Sequence, residues 1–273
     1  MGIFNCPVCG EILEISGKSY VCSKRHSFDI ARSGYVNLLI SKHTGKAVHG
    51  DNKLMVQARR AFLEKGYYSP LSEALSAKVS ELAGNGSVIL DVGCGEGYYT
   101  AAVRDKLDKS EIAAEVYGID VSKIAVEAAS KRRKQILFAA ASVFHIPVAV
   151  ESCDILMTLF APYCGEEYYR VLKKGGYMVM AIPGEEHLWQ LKEAIYDTPY
   201  KNEVKPYGLE GFEHMDVQHI CCSIALDSQE DIQSLFSMTP YYYKTGRKEQ
   251  ERLAALNSLE TQVDFQLLTY RRT

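Results

Sequence analysis

Short apolar runs alternate with amphipathic segments through the middle of the chain. Strands are predicted at SVILDVG (87–93), EVYGID (115–120), ILFAAAS (136–142), CDILMTLFA (153–161) and YMVMAIP (177–183). Between them, apolar residues recur at helical spacing from Tyr99 to Leu107, from Ile124 to Lys131 and from Glu166 to Leu172. Short apolar strands separated by helices are typical of a parallel sheet that is covered on both faces. The pattern therefore predicts an α/β fold.

Different patterns flank this region. Upstream, helical spacing runs over residues 54–62 and 71–82, and Gly66 and Pro70 interrupt it. Downstream, two more strands with helical material between them are predicted at HICCSIAL (219–226) and VDFQLLTY (263–270). Such strands can add an antiparallel edge to a parallel sheet. Residues 1–36 have little apolar periodicity and many turn residues, which predicts a small ribbon of two short hairpins.

Four soft metal donors lie within this N-terminal ribbon. Cys6-x2-Cys9 is followed, after twelve residues, by Cys22-x3-His26. Each pair sits on a tight knuckle, for which Gly10 supplies a turn, and four ligands close a tetrahedral zinc site. A catalytic zinc would keep one position for water, so the spacing predicts a structural metal. The alternatives are a coincidental cluster and a redox CxxC, which would stand between a strand and a helix.

A glycine-rich turn follows the first predicted strand of the α/β region. VILDVGCGEGYYT ends its apolar run in Asp91 and places Gly93, Gly95 and Gly97 before a helix. A dinucleotide fold would need its third glycine one residue later, so this turn favours S-adenosylmethionine over a pyrophosphate. Asp120 closes the second strand, where a carboxylate can accept hydrogen bonds from both hydroxyls of a cofactor ribose. The alternative is a turn that is tight for packing alone.

Composition limits the compartment. The chain has 273 residues, of which 47% are hydrophobic and 24% charged, as in ordinary globular proteins. It has no apolar leader and no run of about 18 uncharged apolar residues, so we expect a cytoplasmic protein that does not span a membrane. In that reducing compartment, the eight cysteines argue against a disulfide framework.

The net charge of -3 hides a split along the chain. Residues 1–70 hold ten Lys and Arg against five Asp and Glu, whereas the remainder holds twenty-one against twenty-nine. A basic N-terminal region suits contact with nucleic-acid phosphates, although such a surplus is also common on solvated surfaces. Phosphate contacts are predicted for Lys24, Arg25, Arg32, Lys42, Lys46, Arg59 and Arg60.

Ten segments together resemble a known family. They are CPVCG, CSKRHSFD, GYVNLL, MVQARRAFLEKGYYSPL, LDVGCGEGYYT, GIDVSKIAVEAA, FAPYC, LKKGG, PGEEHLWQLK and SMTPY. They are similar, essentially from end to end, to the bacterial 23S rRNA (guanine-N1)-methyltransferases of the RlmA type. The resemblance implies a class I S-adenosylmethionine-dependent methyltransferase domain, Rossmann-like with a mostly parallel sheet and an antiparallel edge, and a small N-terminal zinc ribbon. It implies methylation of N1 of a guanine in a hairpin loop of 23S rRNA, and leaves a homodimer open.

The resemblance also assigns residues, and the pattern along the chain divides it into domains. It implies cofactor contacts at Tyr68, Gly95, Glu96 and His187, in addition to Gly93, Gly97 and Asp120, and zinc ligation by Cys6, Cys9, Cys22 and His26. The predicted domains are a zinc ribbon for RNA recognition (1–36), a connector and helix (37–70) that includes a mobile polar stretch at 41–53, and the methyltransferase domain (71–273). Two family branches methylate neighbouring guanines, one of them tied to resistance against tylosin-type macrolides, and the sequence does not choose between them.

The reaction needs a route for one proton. Guanine N1 is protonated at neutral pH, so a carboxylate or histidine within hydrogen-bond reach is the usual acceptor. The candidates near the expected sheet edge are His145, Asp154, Glu166 and Glu167, and the catalytic residue stays unassigned. Phe160 to Tyr163 would face the transferred methyl, and Tyr163 or Tyr241 to Tyr243 could stack on a flipped base. The alternatives are a small-molecule methyltransferase with a structural zinc and a non-catalytic zinc-ribbon RNA-binding factor.

Overall fold

Two β-sheets and eight α-helices make up the part of the chain that this computed structural model describes, residues 2–40, 50–204 and 206–273. The strands are β1 (Glu14–Ser16), β2 (Ser19–Val21), β3 (Ser27–Asp29), β4 (Val36–Asn37), β5 (Val88–Val92), β6 (Glu115–Asp120), β7 (Leu137–Ala140), β8 (Cys153–Leu159), β9 (Leu172–Pro183), β10 (Phe212–Leu226) and β11 (Leu259–Arg272). The helices are α1 (Lys53–Glu64), α2 (Ser69–Leu82), α3 (Tyr98–Lys109), α4 (Lys123–Arg132), α5 (Gly165–Val171), α6 (Trp189–Ile195), α7 (Gln229–Ser237) and α8 (Arg247–Ala254), with a 3₁₀ helix at Pro240–Tyr243. No helix in these ranges is long and apolar enough to cross a membrane.

The larger sheet has the strand order β10-β11-β9-β8-β5-β6-β7-β4. The strands from β9 to β4 pair in parallel, whereas β11 pairs antiparallel with both β9 and β10. This topology confirms the predicted mostly parallel sheet with an antiparallel edge. Because parallel strands end at the same edge of a sheet, the loops that follow β5 to β9 open on a common site.

The apolar core is divided between the two faces of this sheet. On β5, Ile89 belongs to one cluster of buried residues, whereas Leu90 and Val92 belong to the other, as the two-residue period of a strand requires. The first cluster contains buried residues from every helix except α5. The second is closed by Tyr168 and Val171 of α5 and by the N-terminal ribbon.

The ribbon is part of the second core. Its small sheet has the order β1-β2-β3, and Phe4, Leu13 and Tyr20 are almost completely buried in the second cluster. The rings of Phe4 and Tyr117 meet edge to face with centroids 5.7 Å apart. Directly after the ribbon, β4 pairs in parallel with β7 and extends the larger sheet. The ribbon therefore takes a place that a covering helix would otherwise occupy.

The two upstream helices form as predicted, with one correction. Asn52 caps α1 by accepting a hydrogen bond from the backbone N–H of Met55 at 3.0 Å. Gly66 adopts a left-handed φ of +81° between the helices, which is its usual use. The predicted interruption at Pro70 is wrong, because Pro70 lies in the first turn of α2, where its missing N–H costs nothing. Most of the predicted mobile connector, residues 41–49, lies outside the described ranges.

Candidate active site

The glycine-rich turn joins β5 to α3 through three left-handed residues. The φ angles of Gly93, Gly95 and Gly97 are +83°, +55° and +80°. A methyl group on Gly93 would lie 2.4 Å from Cβ of Ala161, and one on Gly97 would lie 2.8 Å from Cβ of Ala129. These two glycines are required for packing, whereas a methyl group on Gly95 would meet only an arginine side chain, at 3.6 Å. Gly95 is therefore the glycine whose backbone faces open space.

A cavity of about 590 Å³ opens at this turn. Five of the predicted cofactor contacts line it, namely Tyr68, Gly93, Gly95, Glu96 and His187. The remaining two, Gly97 and Asp120, border the turn, since Asp120 accepts a hydrogen bond from the backbone N–H of Gly95 and Gly97 begins α3. Residues far apart in the sequence thus meet around one cavity at the carboxyl ends of the strands.

Asp91 is a buried carboxylate on the wall of this cavity. Its Oδ2 accepts a hydrogen bond from the hydroxyl of Thr100 at 2.6 Å, whereas the buried Oδ1 has no partner within the described ranges. Burial raises the pKa of Asp91 to about 7, against the opposing effect of the Thr100 hydrogen bond. Leaving a buried carboxylate oxygen unpaired costs free energy, so this oxygen is suited to a cationic ligand.

Two further carboxylates hold the turn. Asp120 accepts from the backbone N–H groups of Gly95 at 3.0 Å and Ser122 at 2.8 Å. Burial raises the pKa of Asp120, and these two hydrogen bonds oppose the rise. Glu96 is 2% exposed and pairs with Arg132, while its Oε1 has no partner in the described part of the chain. Burial also raises the pKa of Glu96, and the charge of Arg132 opposes it.

On the opposite wall, His187 is held as a neutral donor. Its Nδ1 accepts a hydrogen bond from the backbone N–H of Asp264 at 3.3 Å, which assigns the proton to Nε2. Burial lowers the pKa of His187 to about 3, with a contribution from the charge of Lys192. The ring centroid of His187 lies 6.1 Å from that of Tyr68 and 4.6 Å from that of Phe265. These aromatic contacts fix the ring in one orientation.

Arg59, which was predicted to contact phosphate, lines the cavity instead. Arg59 forms an ion pair with Asp51 at 2.9 Å and donates a hydrogen bond to the carbonyl of Met238 at 3.4 Å. Both Arg59 and Asp51 line the cavity. The amphipathic pattern of α1 could not show this, because the face that covers the turn is set by packing against α4 and α7.

Two residues with strained backbones also line the cavity. Phe160, directly after β8, and Leu188, directly before α6, have left-handed φ angles of +56° and +58°. Bulky residues rarely adopt this conformation, and such strain clusters at functional sites. The sequence predicted that the segment beginning at Phe160 faces the reaction, whereas nothing in the sequence indicated Leu188.

One of the candidate proton acceptors lies at the wrong edge of the sheet. Asp154 is the second residue of β8 and therefore lies near the amino end of that strand. Its Oδ2 accepts from the backbone N–H of Val88 at 2.9 Å, and both oxygens accept from Lys173 at 2.8 Å. The expectation that Asp154 lies near the ligand edge is wrong. Asp154 is at the amino end of β8, and the cavity opens at the carboxyl ends of the strands.

The other candidates lie at the expected edge but do not line the cavity. Glu167 accepts from the backbone N–H of Ile146 at 2.6 Å and pairs with Arg170 at 2.6 Å. His145 lines a separate cavity of about 320 Å³ beside the ribbon. Glu166 has an exposed side chain in the first turn of α5. Glu167 thus anchors the turn between β7 and β8.

The four soft donors of the ribbon converge on one point. One donor atom from each of Cys6, Cys9, Cys22 and His26 lies within 4.8 Å of the other three. The Sγ atoms of Cys9 and Cys22 are 3.7 Å apart, and Nδ1 of His26 lies 3.5 Å from Sγ of Cys6. Zinc with bonds of about 2.3 Å to sulfur and about 2.1 Å to nitrogen gives tetrahedral edges of roughly 3.6 to 3.8 Å. The donor set and its spacing therefore fit a tetrahedral zinc ion.

The residues predicted to contact RNA are scattered. Lys24 forms an exposed ion pair with Glu11 at 3.5 Å, and Arg60 pairs with its neighbour on α1, Glu64, at 2.8 Å. Tyr163 is 43% exposed beside the cavity segment, whereas Tyr241 is buried and lines the cavity. The predictions for Lys42, Lys46 and the side chain of Tyr243 lie outside what the structure describes.

Comparison with known proteins gives two family models that match the chain. A zinc-ribbon model described as RlmA, N-terminal, matches residues 4–44. A methyltransferase-domain model matches residues 83–243. Together these matches agree with the two structural units that carry the metal donors and the cavity.

Individual relatives extend the likeness over nearly the whole chain. The Bacillus subtilis protein named "Putative 23S rRNA (guanine-N(1)-)-methyltransferase YxjB" is 30% identical over 97% of this chain and 96% of its own length. The 23S rRNA (guanine(748)-N1)-methyltransferase of Streptomyces fradiae is 33% identical over 70% of this chain and 66% of its own length. Among solved structures, the YcgJ protein of Bacillus subtilis is 16% identical, with a TM-score of 0.49 over 73% of this chain and 98% of that chain.

Proposed function

This chain belongs to the family of 23S rRNA (guanine-N1)-methyltransferases with an RlmA-type zinc ribbon, and from that premise we propose that it methylates N1 of a guanine in a hairpin loop of 23S rRNA. The observation that carries this proposal is the presence, on one chain, of the ribbon and of a cavity built on the GxGxG turn. The site of action is the cytoplasm, where ribosomal RNA is made and folded.

The cavity residues fit S-adenosylmethionine. Its ammonium group would supply the partner that the buried Oδ1 of Asp91 lacks, and Asp120 is placed to accept from ribose hydroxyls. The open backbone at Gly95 allows close approach of the cofactor. The Nε2 proton of His187 is available to a carboxylate. When bound, S-adenosylmethionine supplies an electrophilic methyl group on a positively charged sulfur.

Zinc fits the ribbon as a structural ion. All four tetrahedral positions are filled by protein donors, so no position remains for substrate or water. The ribbon strands have only three residues each, which is too small for an independent core. The metal therefore shapes the ribbon and takes no part in methyl transfer.

The chain contributes mainly by positioning. In-line transfer to nitrogen gains most of its rate from the alignment of two bound reactants. The walls formed by Tyr68, Phe160 and Phe265 are aromatic. A target base in a hairpin loop can be splayed out of its stack and enter such a cavity. Basic residues of the ribbon then serve the flanking phosphates.

A methylation assay with protein-free 23S rRNA tests this proposal. The RNA is taken from a strain that lacks the gene and is incubated with labelled S-adenosylmethionine and the full chain. We expect label in the RNA with the wild-type protein and none with Asp120→Ala, which removes the predicted ribose contact. Label in a metabolite extract but not in RNA would assign a small-molecule methyltransferase instead. A protein that binds the RNA but not S-adenosylmethionine would be a non-catalytic factor.

Primer extension identifies the modified guanine. Methylation of N1 blocks base pairing, so reverse transcriptase stops next to the modified nucleotide. Comparison of RNA from the wild-type and deletion strains therefore assigns the branch of the family. A parallel test of tylosin sensitivity in the same two strains decides whether the modification confers macrolide resistance.

A further inference from the structure

A buried lysine lies directly behind one wall of the active-site cavity. Lys192 on α6 is 0% exposed. Its ammonium donates hydrogen bonds to the backbone carbonyl of Tyr200 at 2.9 Å and to Oδ1 of Asn202 at 2.7 Å. It also lies 4.9 Å from the ring centroid of Tyr200 and 5.4 Å from that of Tyr241. These three partners all line the cavity, so one layer of side chains separates the charge from the ligand.

This charge has no anionic partner in the described ranges. Both hydrogen-bond acceptors are neutral, the two rings offer only their faces, and no ion pair of Lys192 is found among these residues. Burial lowers the pKa of Lys192, and the two acceptors with the ring faces favour its charged form. A buried unpaired cation is costly. Such a cost is tolerated where an anion has to be stabilised.

Lys244 is an exposed cation that also lines the cavity, whereas the charged groups packed around α6 are neutralised or paired. On the segment before α6, His187 is neutral because burial lowers its pKa to about 3. Beyond the end of α6, Asp197 is held by Lys248 and Arg252 of α8. On β11, Asp264 presents its backbone N–H to the histidine. The charge behind this wall therefore remains positive.

Among the described residues, those that line the cavity include few free proton acceptors. None of the four predicted candidates lines it. Among the residues that do line it, Asp51 is paired with Arg59, Glu96 is paired with Arg132, and His187 with a pKa of about 3 is too weak a base at neutral pH. Asp91 is on the cavity wall, but in the proposed function its free oxygen pairs with the ammonium group of the cofactor. The described lining residues therefore leave water as the acceptor of the N1 proton.

We propose that the buried charge of Lys192 stabilises the N1-deprotonated form of the bound guanine, so that the proton leaves to solvent before methyl transfer. This inference rests on the proposed function. The N1–H bond breaks and its proton passes to water; the electron pair left on N1 then forms the N1–C bond as the C–S bond breaks, with its pair remaining on sulfur. Lys192 is a positioning residue in this reaction, since it acts through the wall of Tyr200, Asn202 and Tyr241.

The test is the pH dependence of single-turnover methylation of an RNA hairpin. The wild-type rate should rise with pH to a plateau, with a midpoint at the pKa of the bound guanine. Lys192→Met removes the charge and should move the midpoint upward by about one pH unit, as expected for a unit charge roughly 10 Å away at an effective dielectric constant of about 20. Lys201→Met is the matched control, because Lys201 is an exposed lysine that pairs with Glu186. Its midpoint should equal that of the wild type.

A second variant and a second readout guard against a folding defect. Asn202→Asp places a carboxylate beside the ammonium and should shift the midpoint in the same upward direction. Affinity for the hairpin without S-adenosylmethionine should rise with pH in the wild type, and this rise should begin at higher pH in Lys192→Met. The midpoint of a rate profile does not depend on the fraction of folded protein, so partial unfolding does not mimic the effect.

The outcomes separate the inference from the proposed function. An unchanged midpoint in Lys192→Met, or in Asn202→Asp where Lys192→Met fails to bind S-adenosylmethionine, overturns the inference and leaves the function intact. A wild-type profile without a rising limb also overturns it. A wild-type protein that methylates no RNA at any pH overturns the proposed function itself.

Discussion

The hydrogen bonding and the pKa of the Asp91 carboxylate are set by its burial on β5. Its position before the glycines was evident from the sequence, but its orphaned oxygen and its raised pKa were not. Both arise because Thr100, one turn into α3, satisfies only one of the two oxygens. Burial thus leaves a single free acceptor facing the cavity.

This arrangement predicts a pH-dependent affinity for S-adenosylmethionine. Because burial raises the pKa of Asp91 to about 7, the free protein carries a proton there below that pH, and pairing with the ammonium group requires its release. Affinity should therefore be greatest between about pH 7 and the pKa of the α-ammonium group, about 8, and fall by up to about tenfold per unit below pH 7. Calorimetry between about pH 6 and pH 8 measures this slope. Asp91→Asn should bind more weakly and without the slope, and a flat wild-type profile would contradict the assignment.

The glycines of the turn provide a second prediction, on stability. Gly93→Ala forces a methyl group to 2.4 Å from Cβ of Ala161 at a φ of +83°, so it should lower the free energy of unfolding by about 2 kcal/mol or more. Gly95→Ala has the same left-handed penalty without the clash and should cost about 1 kcal/mol. Urea denaturation monitored by circular dichroism compares the two variants. Equal losses would show that the contact with Ala161 relaxes freely.

Residues that act through contiguous motifs could be predicted, and those brought in by tertiary packing could not. The sequence identifies Gly93, Gly95 and Asp120, because the spacing of a strand, a turn and a helix is local. Arg59 and Lys192 do not, because a basic residue in an amphipathic helix has the same pattern whether it faces water or a cavity. Only the packing of α1 and α6 around the turn decides between these two environments.

Secondary-structure elements, too, could be predicted only where their own sequence carries a pattern. The strands of the parallel sheet were predicted because both faces are buried and their sequences are continuously apolar. The two-residue β4 has too little sequence for a pattern. The first half of β10 is largely exposed and polar, and the structure extends that strand back to Phe212. Exposed antiparallel pairing of this kind is directed by the partner strand β11, not by hydrophobicity.

The zinc ribbon provides a testable prediction for a structural element. Because Phe4, Leu13 and Tyr20 close the second core, loss of zinc should expose that core and lower the melting temperature of the whole protein. We expect one zinc per chain, and we expect Cys22→Ser to reduce both the zinc content and the melting temperature. Metal analysis by mass spectrometry and thermal denaturation measure the two quantities.

Cys221→Ser is the matched control for the zinc prediction. Cys221 is exposed on β10 and lies outside the donor cluster, so its replacement should change neither the zinc content nor the melting temperature. A Cys22→Ser protein that loses zinc but keeps its melting temperature would show that the ribbon folds against the sheet without its metal.

The whole molecule has two structural units, which differ in charge and in architecture. The acidic methyltransferase domain carries the cavity, and the ribbon, whose residues 1–36 hold four Lys and Arg against three Asp and Glu, packs against the same sheet. A second cavity, between the first zinc knuckle and the turn at Ser142 to Pro147, marks where the two units meet at the carboxyl edge. Since the ribbon is fixed by packing, its basic residues have a defined position relative to the active site.

The last prediction concerns the proposed phosphate contacts of the ribbon. Lys24→Glu with Arg25→Glu should weaken binding of the 23S rRNA hairpin and reduce the slope of log affinity against log salt by about one per lost phosphate contact. Affinity for S-adenosylmethionine should stay unchanged, because Lys24 and Arg25 belong to the ribbon and do not line the cavity. Fluorescence anisotropy across a salt series gives the slope. Lys131→Glu with Lys134→Glu is the matched control, since it reverses the same number of charges at the solvated end of α4, where Lys131 pairs with Glu127. Equal losses from both changes would mean that RNA responds to net charge alone, whereas a loss confined to the ribbon variant locates the phosphate contacts on the ribbon.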